Sequence, residues 1–150
     1  MEQEIAMGRV EQAVKCFNSS FNCSQSVFSV FCEELGLETE KALKIATAFG
    51  GGMGHTGETC GAVTGAYMAI GLKHGKYKAL DNLSKEKTYS LVMEFSRRFK
   101  DVYGSVCCTE LLGYDLGTKE GMESARKKDL FNTLCVDFVK NAVEILEQIL

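Results

Sequence analysis

The chain has 150 residues, 45% of them hydrophobic, enough for one domain with a real core and too few for two comfortable ones. Lys and Arg number 17 against 20 Asp and Glu, and the net charge of −3 excludes a strongly basic nucleic-acid binder and a highly charged disordered chain. The uncharged run Cys16–Cys32 is broken by Asn, Ser and Gln, and the apolar run Cys60–Leu72 falls short of the ~20 residues of a membrane span. Nothing in Met1-Glu2-Gln3-Glu4 resembles an export signal, so a soluble cytoplasmic protein with no membrane or nucleic-acid partner is expected.

Apolar residues recur at helical spacing, and no proline interrupts them. A first helix is expected from near Glu2 to Phe17, and a second after Asn22, carrying Val27, Phe28, Val30, Phe31 and Leu35 up to Gly36. Thr39 should cap a third, through Phe49. The next eight residues, Gly50 to Gly57, include five glycines and cannot be a regular helix or strand interior. A fourth helix should run from Cys60 to about Gly75, and Ser84 should cap a long fifth. Short helices fit Ser105–Leu112 and Thr118–Lys127, and Thr133 should cap a final amphipathic helix to Leu150. No repeat or linker divides the chain. The expected fold is a compact, single-domain, all-α bundle over residues 1–150, with about six main helices and two short ones. The apolar C-terminal helix suits either the core or a homo-oligomer.

Seven cysteines in a chain without an export signal do not suit a full set of structural disulfides. Four fall at expected helix starts: Cys23 after Asn22, Cys60 after Thr59, Cys108 three residues beyond Ser105, and Cys135 two beyond Thr133. The first turn of a helix offers unpaired N–H groups and about half a positive charge, which favours a thiolate. The thiolate is the nucleophile, the redox-active form and the metal ligand. The competing reading makes these cysteines small buried hydrophobes. Cys16 and Cys32, beside Phe17 and Phe31 late in their helices, are expected to fill core. Cys107 adjoins Cys108, and a vicinal disulfide there would be strained.

Around Cys60, Gly61 and Gly65 leave one helix flank bare, open either to a neighbouring backbone or to a bound group. The loop glycines Gly51 and Gly52, with His55, Glu58 and Gly61, are the candidate cofactor contacts. A nucleotide site is disfavoured, because no Lys-Ser/Thr pair follows the loop and no strand precedes it.

The chain resembles the redox-active protein family named after its C_GCAxxG_C_C cysteine signature. The landmarks are Phe21-Asn22-Cys23-Ser24-Gln25-Ser26-Val27, Phe49 to Gly54, Gly57-Glu58-Thr59-Cys60-Gly61-Ala62-Val63-Thr64-Gly65, Gly104 to Cys108, and Leu134-Cys135. The resemblance implies that Cys23, Cys60, Cys108 and Cys135 are the family's four characteristic cysteines. Loci with oxidoreductases or transporters, and export with a prosthetic group in some members, further imply redox activity or a bound metal centre. This chain departs in lacking a proline after Cys135 and in adding Cys107.

Two chemical functions follow, with a purely structural or interaction bundle as the third reading. One is a thiol-redox protein, with oxidoreductase activity as its enzymatic form, working with a redox partner protein or a small thiol. There Cys60 attacks and another cysteine resolves the mixed disulfide. The other is a metal-binding protein with zinc, iron or an iron–sulfur cluster on Cys23, Cys60, Cys108 and Cys135, or with His55 replacing one of them.

Overall fold

The computed structural model describes residues 7–150, and its regular structure is helical throughout. The helices are α1 (Arg9–Asn18), α2 (Cys23–Cys32), α3 (Thr39–Thr47), α4 (Gly50–Met53), α5 (Gly61–His74), α6 (Asn82–Tyr103), α7 (Cys108–Leu112), α8 (Lys119–Lys127) and α9 (Val136–Ile149). A π-helical turn, Phe131–Cys135, leads directly into α9. The all-α expectation holds: α1, α2, α3, α5, α6 and α9 answer to the six main helices predicted, and α7 and α8 to the two short ones. The start predicted near Glu2 lies outside the described residues.

Helix α5 is the hub. Gly61, Ala62, Val63, Thr64, Gly65, Ala66, Ala69 and Ile70 are all buried, so it is enclosed on most sides, as an apolar helix without a polar face must be. Its bare flank meets α2: a Cβ on Gly65 would lie 2.7 Å from the Ser24 carbonyl oxygen, and one on Gly61 would lie 3.1 Å from the Ser24 nitrogen. Close helix packing is therefore what Gly61 and Gly65 provide. On the far side α6 and α9 interlock through Phe95, Phe99, Tyr103 and Phe138, with ring centroids 4.8 to 6.1 Å apart.

Helix α9 buries Phe138, Val139, Ala142, Val143, Ile145 and Leu146. Its apolar face is used within the chain, so it gives no ground for a homo-oligomer. Large apolar residues are instead exposed at Tyr77, Leu80, Leu83, Tyr89 and Met93, around the start of α6. No helix among the described residues is long and apolar enough to cross a membrane.

Several predicted caps shift, and the shifts bear on the cysteines. Asn22 caps α2 in a full capping box: its side chain accepts from the Gln25 N–H at 2.9 Å, and the Gln25 side chain accepts from the Asn22 N–H. Thr118 caps α8 as expected. Asp81, not Ser84, caps α6, accepting the Ser84 N–H. Thr39 is the first residue of α3 and leaves the cap position to Glu38. Cys60 and Cys107 themselves occupy the cap positions of α5 and α7.

Thr133 caps nothing. Asp129, at φ 56°, ends the preceding segment, and Thr133 lies inside the π-turn with its hydroxyl donating to the Asp129 carbonyl. Cys135 is therefore embedded in continuous helix, where its predicted first-turn position does not exist.

Candidate functional site

The glycine segment is not an open loop. Gly51, Gly52, Met53, Gly54 and His55 all have positive φ, between 62° and 71°, making one left-handed turn. L-residues avoid this conformation by roughly 1–2 kcal/mol each, so Met53 and His55 are held there against their preference. The turn is closed by the Gly50 carbonyl, which accepts from the Gly54 and His55 N–H groups at 2.9 and 3.1 Å. The Gly52 carbonyl accepts from the Glu58 N–H at 3.0 Å and from the Thr56 hydroxyl at 2.8 Å.

The chain then pairs with the segment before α7. Thr59 and Cys107 form an antiparallel bridge, flanked by Cys60 N–H to the Val106 carbonyl at 2.8 Å and Cys108 N–H to the Glu58 carbonyl at 2.6 Å. Neighbouring side chains of an extended segment point to opposite sides, which separates Cys107 from Cys108. The Cys107 thiol donates to the Gly57 carbonyl at 3.4 Å, while Cys108 faces a cavity. A Cβ on Gly52 would lie 2.6 Å from that of Cys108, so only glycine permits this approach.

The cavity, about 280 Å³, is where the distant cysteines meet. Cys23 from the start of α2, Cys60 from the start of α5, Cys108 from the start of α7 and Cys135 from the π-turn all line it. All seven cysteines of the chain are free thiols. Cys16 and Cys32 lie elsewhere, between helices, with their sulfurs beside Ser29. Of the other candidate contacts, Gly51, Gly52, His55 and Gly61 are at the cavity wall. The Glu58 side chain is exposed and does not line it, so Glu58 contributes through its backbone alone.

Sequence reading missed the apolar walls, Phe17, Phe21, Leu112, Leu116, Phe131 and Phe138, which come from separate stretches of chain with no shared motif. It also missed Asn22, whose side chain fits against Gly50. The signal was present, since Asn22 and Gln25 spell a capping box.

The electrostatics reverse the expectation for Cys60. The backbone N–H groups of Ala62 and Val63 do favour its thiolate, but burial outweighs them and the thiol is pushed up to about 12. Burial likewise pushes Cys108 up to about 12. Both stay protonated near neutrality. The sulfur that ionises more readily is Cys135, lowered by a hydrogen bond from the Cys23 thiol. Cys23 is raised by that same bond, followed by burial and by repulsion from a Cys135 thiolate. Contact between two helices, and not a helix dipole, thus eases the loss of a proton from Cys135 and hinders it at Cys23.

Metal ligation requires donors that converge on one point. Among the described residues no group of three or more His, Cys, Asp or Glu side chains is arranged so that it could hold a metal ion. As placed, the four thiols do not fit zinc, iron or an iron–sulfur cluster, and no step is assigned to such a group.

A relative from Archaeoglobus fulgidus, described as an uncharacterized protein, is 28% identical over 142 residues, covering 89% of this chain and 87% of its own. No solved structure matches. A family model described as "Putative redox-active protein (C_GCAxxG_C_C)" matches residues 21–149, the stretch that contains all four cavity cysteines. The chain belongs to the C_GCAxxG_C_C redox-active protein family.

Proposed function

We propose that the protein is a thiol–disulfide redox protein in which Cys23 and Cys135 cycle between dithiol and disulfide. The observation that carries this reading is the polarised pair, a Cys135 sulfur eased toward thiolate by the Cys23 thiol that would resolve it. Against a small disulfide, the Cys135 thiolate attacks one sulfur and expels the other half as a thiolate. Cys23 then attacks the Cys135 sulfur of the mixed disulfide, its proton passes to the departing thiolate, and the Cys23–Cys135 bond forms. Two electrons leave the protein in all, with two protons, one released when Cys135 ionises and one passed on from Cys23. Cys135 replaces Cys60 as the attacking residue, because Cys60 is too well buried to ionise near neutrality. Protonated Cys60 and Cys108 let four sulfurs share one cavity without the repulsion of four charges.

The test is a thiol count on reduced, metal-stripped protein before and after the thiol oxidant diamide, with peptide mapping of the product. Loss of two thiols and recovery of a Cys23–Cys135 peptide are expected, with both effects abolished in Cys23→Ser and Cys135→Ser. A disulfide joining other cysteines would overturn the pairing. Stoichiometric metal that survives purification without oxygen and masks the four thiols would replace this reading with the metal-binding one.

A further inference from the structure

The cavity also constrains what oxidises the pair, an inference that rests on the thiol-redox reading above. Cys60, Cys108 and Cys135 are only 4%, 6% and 6% exposed, and the exposed wall residues Ser20, Phe21 and His55 mark where the cavity meets solvent. A disulfide on a folded partner protein would have to carry its backbone past that mouth to reach Cys135. A cavity of about 280 Å³ does not admit one, but it lies near the lower end of the range that compact small molecules fill.

The wall chemistry narrows the class. Among the described residues, His55 is the only titratable side chain on the wall apart from the cysteines, and no Lys, Arg, Asp or Glu is there to meet a charged ligand. Four phenylalanines and two leucines supply flat apolar surface, suited to stacking on a ring. The ring of His55 lies directly over Gly51, with its Cδ2 1.9 Å from where a Cβ would stand. An imidazole at the wall offers a ring N–H to an acceptor oxygen. Glycine at 51 and 52 serves the left-handed turn that carries His55 to the wall.

The geometry points to a quinone, an uncharged ring bearing carbonyl acceptors, as the molecule that enters this cavity and takes two electrons from the Cys23–Cys135 pair. The ring stacks among the phenylalanines, and one carbonyl oxygen accepts from the His55 ring N–H. The exchange balances: two cysteine thiols lose two electrons and two protons as the sulfur–sulfur bond forms, and the quinone gains both to become a hydroquinone.

The experiment mixes reduced, metal-stripped protein, without oxygen, with tetramethyl-1,4-benzoquinone, whose fully substituted ring leaves thiols no position for addition. One hydroquinone per chain and a Cys23–Cys135 disulfide are expected, with both lost in Cys135→Ser. Narrowing the cavity by Leu116→Trp, or by Leu112→Trp where the first does not fold, should slow the quinone reaction at least tenfold. If diamide forms the disulfide but the quinone does not, this inference fails while the thiol-redox reading stands. If neither forms it, both fail. Quinone reduction that proceeds at an unchanged rate in Cys135→Ser, or in a folded cavity-narrowed variant, places the reaction elsewhere and also overturns the inference.

Discussion

At the scale of single residues, reactivity here depends on which sulfur has a donor. Cys60 has two backbone N–H groups and is still held protonated by burial, whereas Cys135 has one thiol neighbour and is lowered. A hydrogen bond donated to a thiolate favours the charged form. Iodoacetamide at neutral pH should therefore modify Cys135 before Cys60 or Cys108. In Cys23→Ala the pH midpoint of Cys135 alkylation should move up, read by mass spectrometry of timed, quenched samples. An unmoved midpoint would mean that Cys23 does not set the ionisation of Cys135.

At the scale of elements, glycines decide how closely the parts of the site approach. Gly52 has φ 71°, and a Cβ there would also stand 2.8 Å from the Glu58 nitrogen, which is backbone and cannot swing aside. Gly52→Ala combines left-handed strain with overpacking, so it should lower unfolding stability by about 2–4 kcal/mol. Gly65→Ala, with φ in the ordinary helical range but with the Ser24 carbonyl oxygen at 2.7 Å and the Val27 Cβ at 3.1 Å in the way, should cost about 1–3 kcal/mol by prising α2 from α5. Gly71→Ala, where nothing lies within 4 Å, serves as the matched control and should be neutral or slightly stabilising. Urea unfolding midpoints of the three variants measure this order.

The π-turn is the other element-level device. One extra residue per turn breaks the register between what precedes Cys135 and the apolar stripe of α9, so Cys135 can face the cavity while Val139 and Val143 stay in the core.

At the scale of the whole molecule, gathering thiols in a buried cavity ties stability to pH. Cys60 and Cys108 are each raised from an ordinary 9.0 to about 12. The folded state therefore keeps their protons after the unfolded chain has begun to lose them. Stability from these two groups is fully present below pH 9 and falls as pH rises from about 9 to about 12, by at most ~1.4 kcal/mol per pH unit per thiol. Cys60→Ser, which does not titrate there, should flatten this loss by about one thiol's share. Urea unfolding of reduced protein across that interval, with and without the substitution, reads the slope directly. Equal slopes in the two proteins would mean that Cys60 is not held protonated.

Much of this protein is local and therefore legible in its residues. Apolar periodicity without proline gives the six long helices, because each must hide one stripe from water wherever it packs. Five glycines in eight residues mark a conformation closed to side chains, and the order of the cysteines identifies the family. What residue order could not supply is distance. Cys135 lies close in sequence to Thr133, a plausible cap, yet a π-turn carries it into continuous helix and against Cys23, more than a hundred positions earlier. Cys107 and Cys108 are chemically alike in sequence and part only because a backbone bridge turns them to opposite sides. The ionisation of a thiol is likewise a balance of burial against contact. Both come from neighbours that the chain brings together only on folding, which is why the sulfur we propose as the attacking one is Cys135 and not Cys60.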